Sequence, residues 1–205
     1  MARFIGRENV RKRLEPLESG PGRTTYADGA VRIETADKTI SVRPPFGLAH
    51  ARTYESVELA PLFEELARDH VVAALLVRLG GYAVGVFEGE RLVASKAGTR
   101  FVKGRHKKGG RSSNRFRRRR EEQARALVEE AGRVAVTVLG PWRERVEFAA
   151  LGGDRTAIEG VLAAEPELAW LRERALERFF TVAEPRLRVL EQLPYDLYAA
   201  EVGTP

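Results

Sequence analysis

Residues 71–96 read V-V-A-A-L-L-V-R-L-G-G-Y-A-V-G-V-F-E-G-E-R-L-V-A-S-K, apolar runs separated by two short turn signals. Val71–Leu79 predicts one strand, Gly80-Gly81 a turn, Tyr82–Phe87 a second strand, Glu88–Glu90 another tight turn and Arg91–Lys96 a third. Strands joined by turns this short must run antiparallel, because a parallel pair needs a crossover of a dozen residues or more. A three-stranded meander is therefore expected.

Downstream, after a basic stretch, Phe116, Ala124, Leu127, Val128 and Ala131 recur at helical spacing, with Gly132 as a natural stop. Val134–Leu139 and Val146–Leu151 read as strands separated by the short Pro141–Arg145 segment. Gly152-Gly153-Asp154 leads into a helix ending near Ala164, and Glu167–Leu190 reads as an amphipathic helix broken at Pro185. Upstream, residues 24–43 alternate around Asp28-Gly29 and Ala36-Asp37, which suggests two or three short strands. Pro44-Pro45 breaks the chain, and Ser56 is placed to cap a helix running to about Asp69. The expected fold class is α/β: an N-terminal β extension over residues 1–53, then a mixed sheet with packed helices over residues 54–205.

A chain of 205 residues with 43% hydrophobic and 31% charged residues can build a real core. The absence of cysteine excludes disulfides and thiolate metal sites and fits a reducing cytoplasm. His50, His70 and His106 show no ligand-like spacing, so neither a metal nor another cofactor is expected. Met1–Arg13 is basic but lacks the apolar stretch of a signal peptide. The longest apolar run falls far short of the ~20 residues a membrane helix needs. A soluble cytoplasmic protein without a membrane partner is expected, and no sequence feature specifies an oligomeric state.

The most informative stretch for function is Arg100–Arg120, R-F-V-K-G-R-H-K-K-G-G-R-S-S-N-R-F-R-R-R-R, with eleven Lys or Arg and no acidic residue. The whole chain is formally +6, so the residues outside this stretch carry a net −5. A mildly acidic body thus bears one concentrated cationic segment, which counterion release would hold against a polyanion. A solvated charged surface or a disordered basic arm is the plainer reading of such a run. The helix that follows works against its own electrostatics. Arg115 and Arg117–Arg120 occupy the turns where the macrodipole disfavours cations, and Arg115 and Arg119 are like charges four residues apart. Local conflicts of this kind concentrate at functional sites, and a docked phosphate backbone would relieve this one. The candidate RNA-binding residues are Arg100, Lys103, Arg105, His106, Lys107, Lys108, Arg115, Arg117, Arg118, Arg119 and Arg120. Inside the run, Gly109-Gly110 can take left-handed conformations and press backbone against a ligand; an isolated Gly-Gly is otherwise a flexible tip.

The sequence R-H-K-K-G-G-R-S-S-N-R-F-R-R-R-R-E-E-Q resembles the GGQ loop and following helix of the central domain of eukaryotic and archaeal class I release factors. The matching positions are His106, Gly109, Gly110, Ser112, Arg115, Phe116 and the arginines after them. Upstream Y-A-V-G-V-F-E-G-E-R-L-V and downstream R-V-E-F-A-A-L-G-G-D are similar to strands of that domain. The resemblance covers about residues 71–160 and includes no stop-codon-reading domain. The chain is thus most similar to stand-alone Vms-type factors of ribosome quality control and their bacterial relatives. The resemblance implies an RNase H-like α/β layer, peptidyl-tRNA hydrolysis, and large-subunit rRNA and peptidyl-tRNA as partners. It also implies a catalytic loop of Gly109, Gly110, Arg111 and Ser112.

One departure stands out: the family's Gln falls at Arg111, so the tripeptide reads Gly-Gly-Arg. In the family the Gln backbone N–H stabilises the developing oxyanion. A backbone donor survives side-chain substitution, and one such donor is worth about 3–4 kcal/mol. Arg111 can accordingly keep part of the chemistry and pair with phosphate. It equally fits a factor that binds without hydrolysing, and a shifted register would put Ser112 at the Gln position. A metal-dependent RNase H-type nuclease is a third reading; it needs clustered carboxylates, for which Glu88, Glu90 and Asp154 are the candidates.

Overall fold

The computed structural model describes residues 3–99 and 112–204. The first elements in chain order are β1 (Arg3–Gly6), α1 (Arg7–Leu14), β2 (Arg23–Ala27), β3 (Ala30–Glu34), β4 (Thr39–Arg43), β5 (Arg52–Tyr54) and α2 (Ala60–Ala67). The meander β6 (Val71–Arg78), β7 (Gly81–Glu88) and β8 (Arg91–Thr99) follows, then α3 (Ser112–Leu139), β9 (Phe148–Gly153) and α4 (Arg155–Ala164). The chain continues through α5 (Trp170–Glu173), α6 (Leu187–Leu197) and β10 (Ala199–Gly203). It divides into two compact units, residues 1–69 with 193–205, and residues 70–192. The sequence reading puts a boundary at 53/54; the division at 69/70 keeps α2 with the first unit, and strand pairing brings β10 there as well.

The first unit is a six-stranded antiparallel sheet in the order β1-β10-β4-β3-β2-β5. Asp28 and Gly29 both have positive φ, 51° and 70°, as a two-residue hairpin turn between β2 and β3 requires. The inward residues Tyr26, Val31, Ile33 and Val42 pack with Val10 and Leu14 of α1 and with Leu62 and Leu66 of α2. Ser56 does not cap α2. The helix starts at Ala60 with Pro61 in its first turn, and the Ser56 carbonyl instead accepts the Thr24 hydroxyl at 3.0 Å.

The second unit is built on the meander, as its turns predict, in the sheet order β8-β7-β6-β9. β9 joins β6 in parallel, Val72 opposite Phe148 through Val77 opposite Gly153. This mixed sheet with three antiparallel strands and a parallel fourth is α/β and agrees with the RNase H-like layer. Residues 72–77 are all buried because the sheet is covered on both faces. Ala73, Leu75, Val77, Tyr82, Val84 and Val86 meet Leu127, Ala131, Ala135 and Leu139 of α3 and Ile158, Val161 and Leu162 of α4. On the other face Leu190 of α6 fits against Gly85, where a Cβ would lie 3.3 Å from the Leu190 Cδ1.

Three sequence expectations fail here. Val134–Leu139 is not a strand, and Gly132 does not stop the helix: α3 runs through both. Leu127, Ala131, Ala135 and Leu139, four residues apart, form one buried stripe that overrides the local strand preference of Val134, Val136 and Val138. Gly132 instead lets Glu165 approach, since a Cβ there would stand 2.7 Å from the Glu165 Cγ. Glu167–Leu190 is likewise not one broken helix. After the single turn of α5 the chain lies beside β9, with parallel bridges Ala149 to Ala175 and Gly152 to Phe180. Leu176 N–H donates to the Ala149 carbonyl and Phe180 N–H to the Leu151 carbonyl, both at 2.9 Å.

Candidate functional site

β6 and β8 run the same way because both flank β7 antiparallel, and β9 is parallel to β6. Their carboxyl ends, Arg78, Thr99 and Gly153, therefore share one end of the sheet. At this end Gly153 has φ +98°, and a Cβ would lie 2.2 Å from the Val77 carbonyl oxygen. Only glycine lets β9 turn here, so that Asp154 N–H reaches that carbonyl at 2.8 Å and the Asp154 side chain caps α4 on the Ala157 N–H at 2.9 Å.

β8 ends at Thr99 and α3 begins at Ser112, so residues 100–111 are rooted between them. Gly98 lies opposite Tyr82 in the β7–β8 ladder. The Tyr82 hydroxyl donates to Glu130 of α3 at 3.1 Å, joining strand and helix. Burial, then the bond to Glu130, raises the Tyr82 pKa, so the hydroxyl stays protonated and keeps donating. From Glu130 back to Ser112 the helix extends about 27 Å at 1.5 Å per residue. Arg118, Arg119, Glu121 and Glu122 are exposed on that length, and between residues 121 and 130 burial begins at Leu127. The first turn of α3 contains no acidic residue, so the conflict between the arginine run and the macrodipole stands.

Among the candidate residues, Arg118 and Arg119 are exposed on α3. Ser112 is its first helical residue, and Arg115, Arg117 and Arg120 follow on its backbone. Arg100, Lys103, Arg105, His106, Lys107, Lys108, Gly109, Gly110 and Arg111 lie outside the described residues. Sequence reasoning missed Tyr82, Gly98 and Glu130. The detectable signal was Gly98, a glycine within a strand two residues before the basic run, which marks a close approach.

The nuclease carboxylates do not come together. Glu88 pairs with Val71 at one end of β6, whereas Asp154 bonds to Val77 near the other. Six residues of strand put these ends about 20 Å apart. Glu88 is moreover held by Arg145 and Arg91, each at 2.5 Å, and the Arg145 bond followed by that of Arg91 lowers its pKa. Among the described residues no group of three or more His, Asp or Glu is placed to hold a metal ion. No described helix is long and apolar enough to cross a membrane.

In chain order, the cationic segment lies between the end of β8 and the head of a long helix on this mixed sheet. The chain belongs to the Actinobacteria/chloroflexi VLRF1 release factor family, whose model matches residues 70–203. It is also 26% identical over 155 residues to "Peptide chain release factor subunit 1" of Archaeoglobus fulgidus, a match covering 73% of this chain and 38% of that protein. The chain thus spans less than two fifths of that relative's length. Among solved structures, an archaeal translation termination factor, aRF1, matches at a TM-score of 0.46 and 17% identity, over 93% of this chain and 54% of that one. An "Archaeal protein" matches at a TM-score of 0.42 and 14% identity, over 96% and 74%.

Proposed function

We propose that this protein is a release-factor-type peptidyl-tRNA hydrolase that acts on the large ribosomal subunit in rescue or quality control of stalled ribosomes. The observation that carries the reading is the Gly109-Gly110 pair inside the cationic run, set immediately ahead of α3 in a member of a release-factor family. In this reading the arginines of α3 and the lysines before the glycines hold rRNA and tRNA phosphates. The Gly-Gly backbone reaches the ester joining peptide to tRNA, and the N–H at Arg111 or Ser112 stabilises the oxyanion that forms as water attacks. The reaction cleaves one ester bond, with water supplying the hydroxyl to the peptide and the proton to the tRNA ribose oxygen. No cofactor takes part in this scheme.

A second reading rests on one specific residue. Arg111 stands where the family has Gln, and a factor that binds the peptidyl-transferase site without hydrolysis fits that replacement. Peptide release from purified, stalled ribosome–nascent-chain complexes separates the two. Release above the rate of spontaneous hydrolysis supports the hydrolase. Tight binding without release supports the binding factor.

A further inference from the structure

The same end of the sheet carries a second set of cations, outside Arg100–Arg120. Arg78 ends β6, is exposed, and donates from Nη1 to the Val182 carbonyl at 2.9 Å. Arg155, the first residue of α4, is exposed, with its guanidinium 4.3 Å from the Phe179 ring centre. The Phe180 carbonyl accepts the Gly153 N–H at 2.9 Å, which ties the 175–180 segment to the end of β9. The Val182 bond and the Phe179 contact keep Arg78 and Arg155 at the end where β6 and β9 finish together. Among the described residues, Arg78 and Arg155 make no ion pair. Asp154, exposed and next to Arg155, keeps its charge while it caps α4, and Glu184 pairs with Arg186 at 2.8 Å.

Arg155 is a cation at a helix N-terminus, where the Asp154 N-cap offsets part of its conflict with the macrodipole. Its position relative to α3 is fixed by packing. Gly160 faces Val128 and Glu165 faces Gly132, so Arg155 stands level with about residue 123 of α3, just below the arginine run. The contact with Phe179 restricts the Arg155 side chain, and a guanidinium offers a phosphate several N–H donors. The carboxyl end of parallel strands is also where open α/β sheets bind ligands.

We propose that Arg78 and Arg155 form a second RNA-phosphate contact at the sheet end where β8 also finishes. This surface prolongs the RNA track across the ends of β6 and β9, some two to three strand spacings of about 4.8 Å from β8. It rests on the RNA-binding part of the function proposed above and is independent of hydrolysis.

The test is binding of the full chain to a mixed-sequence RNA hairpin and to purified large ribosomal subunits, as a function of salt. Arg155→Gln should lower the log–log salt slope by about 0.7–0.9, and Arg78→Gln with Arg155→Gln by about 1.4–1.8. Arg143→Gln removes an exposed cation beyond the far end of α3 and should leave the slope unchanged. Arg155→Lys keeps the charge and should keep the slope; Arg155→Gln alone leaves the Arg78 bond to Val182 intact, so misfolding of the double variant cannot mask the result. An unchanged slope in both Gln variants, or an equal fall in Arg143→Gln, overturns the proposal. Failure of the hydrolase reading looks different: the wild type binds with its full slope and releases no peptide.

Discussion

Tyr82 lies across Gly98 so closely that a Cβ at position 98 would stand 2.5 Å from both its Cζ and its hydroxyl oxygen. The ring crosses from β7 over Gly98, the next-to-last residue of β8, before its hydroxyl meets Glu130. The strand that leads into residues 100–111 and the helix that follows them are thereby joined through one tyrosine. Gly98→Ala should displace the ring and break the bond to Glu130, lowering stability by about 1–3 kcal/mol in a denaturant titration. Tyr82→Phe removes only the hydroxyl and should cost about 0.5–1.5 kcal/mol. Equal stability of Gly98→Ala and wild type would show that the ring does not need that approach.

Two glycines of similar conformation should respond very differently. Gly80 has φ +110° with open space at the Cβ position, whereas Gly153 has φ +98° with the Val77 carbonyl 2.2 Å away. Gly80→Ala should cost only backbone strain, about 1–2 kcal/mol. Gly153→Ala adds a backbone clash at the β9–α4 turn and should cost upwards of about 3 kcal/mol or prevent folding. Thermal melts of the two variants decide the point, and a Gly153→Ala melt equal to that of Gly80→Ala contradicts the geometry.

Glu88 gives a pH signature at the far end of the sheet. The Arg145 and Arg91 bonds hold its folded pKa below the ordinary 4.5. A depressed carboxylate pKa contributes stability that is complete above the unfolded value and is lost as pH falls through the folded value. Wild type should therefore exceed Glu88→Gln in stability at neutral pH. The difference should shrink as the pH drops below about 4.5. Both arginines are exposed and Glu88 is half-buried, so the effect is small and falls with salt. A difference that grows with acidification contradicts the assignment.

The meander was legible because Gly80-Gly81 and Gly89 separate its apolar runs, leaving few other pairings. The Asp28-Gly29 hairpin was legible for the same reason. The end of α3 was not: Val134, Val136 and Val138 favour a strand locally, and only packing of Ala131, Ala135 and Leu139 against the sheet keeps them helical. Neither the pairing of β1 with β10, from opposite ends of the chain, nor the bridges of residues 175 and 180 to β9 leaves a local trace. For the candidate site, charge and the Gly-Gly pair mark the segment in the sequence, while the contact of Tyr82 with Gly98 depends on a cross-strand neighbour that periodicity does not reveal.

The arginines of α3 should act through charge. Changing Arg117–Arg120 to Gln should weaken ribosome binding and lower its salt slope by about 0.7–0.9 for each phosphate left without its arginine. Binding and slope equal to wild type would remove these residues from the interface.

The central claim is tested most directly by peptide release from stalled complexes across substitutions at Arg111. If the chemistry uses the backbone N–H at this position, Arg111→Ala keeps measurable activity, and Arg111→Gln preserves or raises it. Arg111→Pro, which has no N–H to donate, abolishes release while ribosome binding remains. Full release by Arg111→Pro would contradict the account, because the Gly-Gly-Arg segment would then not be the catalytic element.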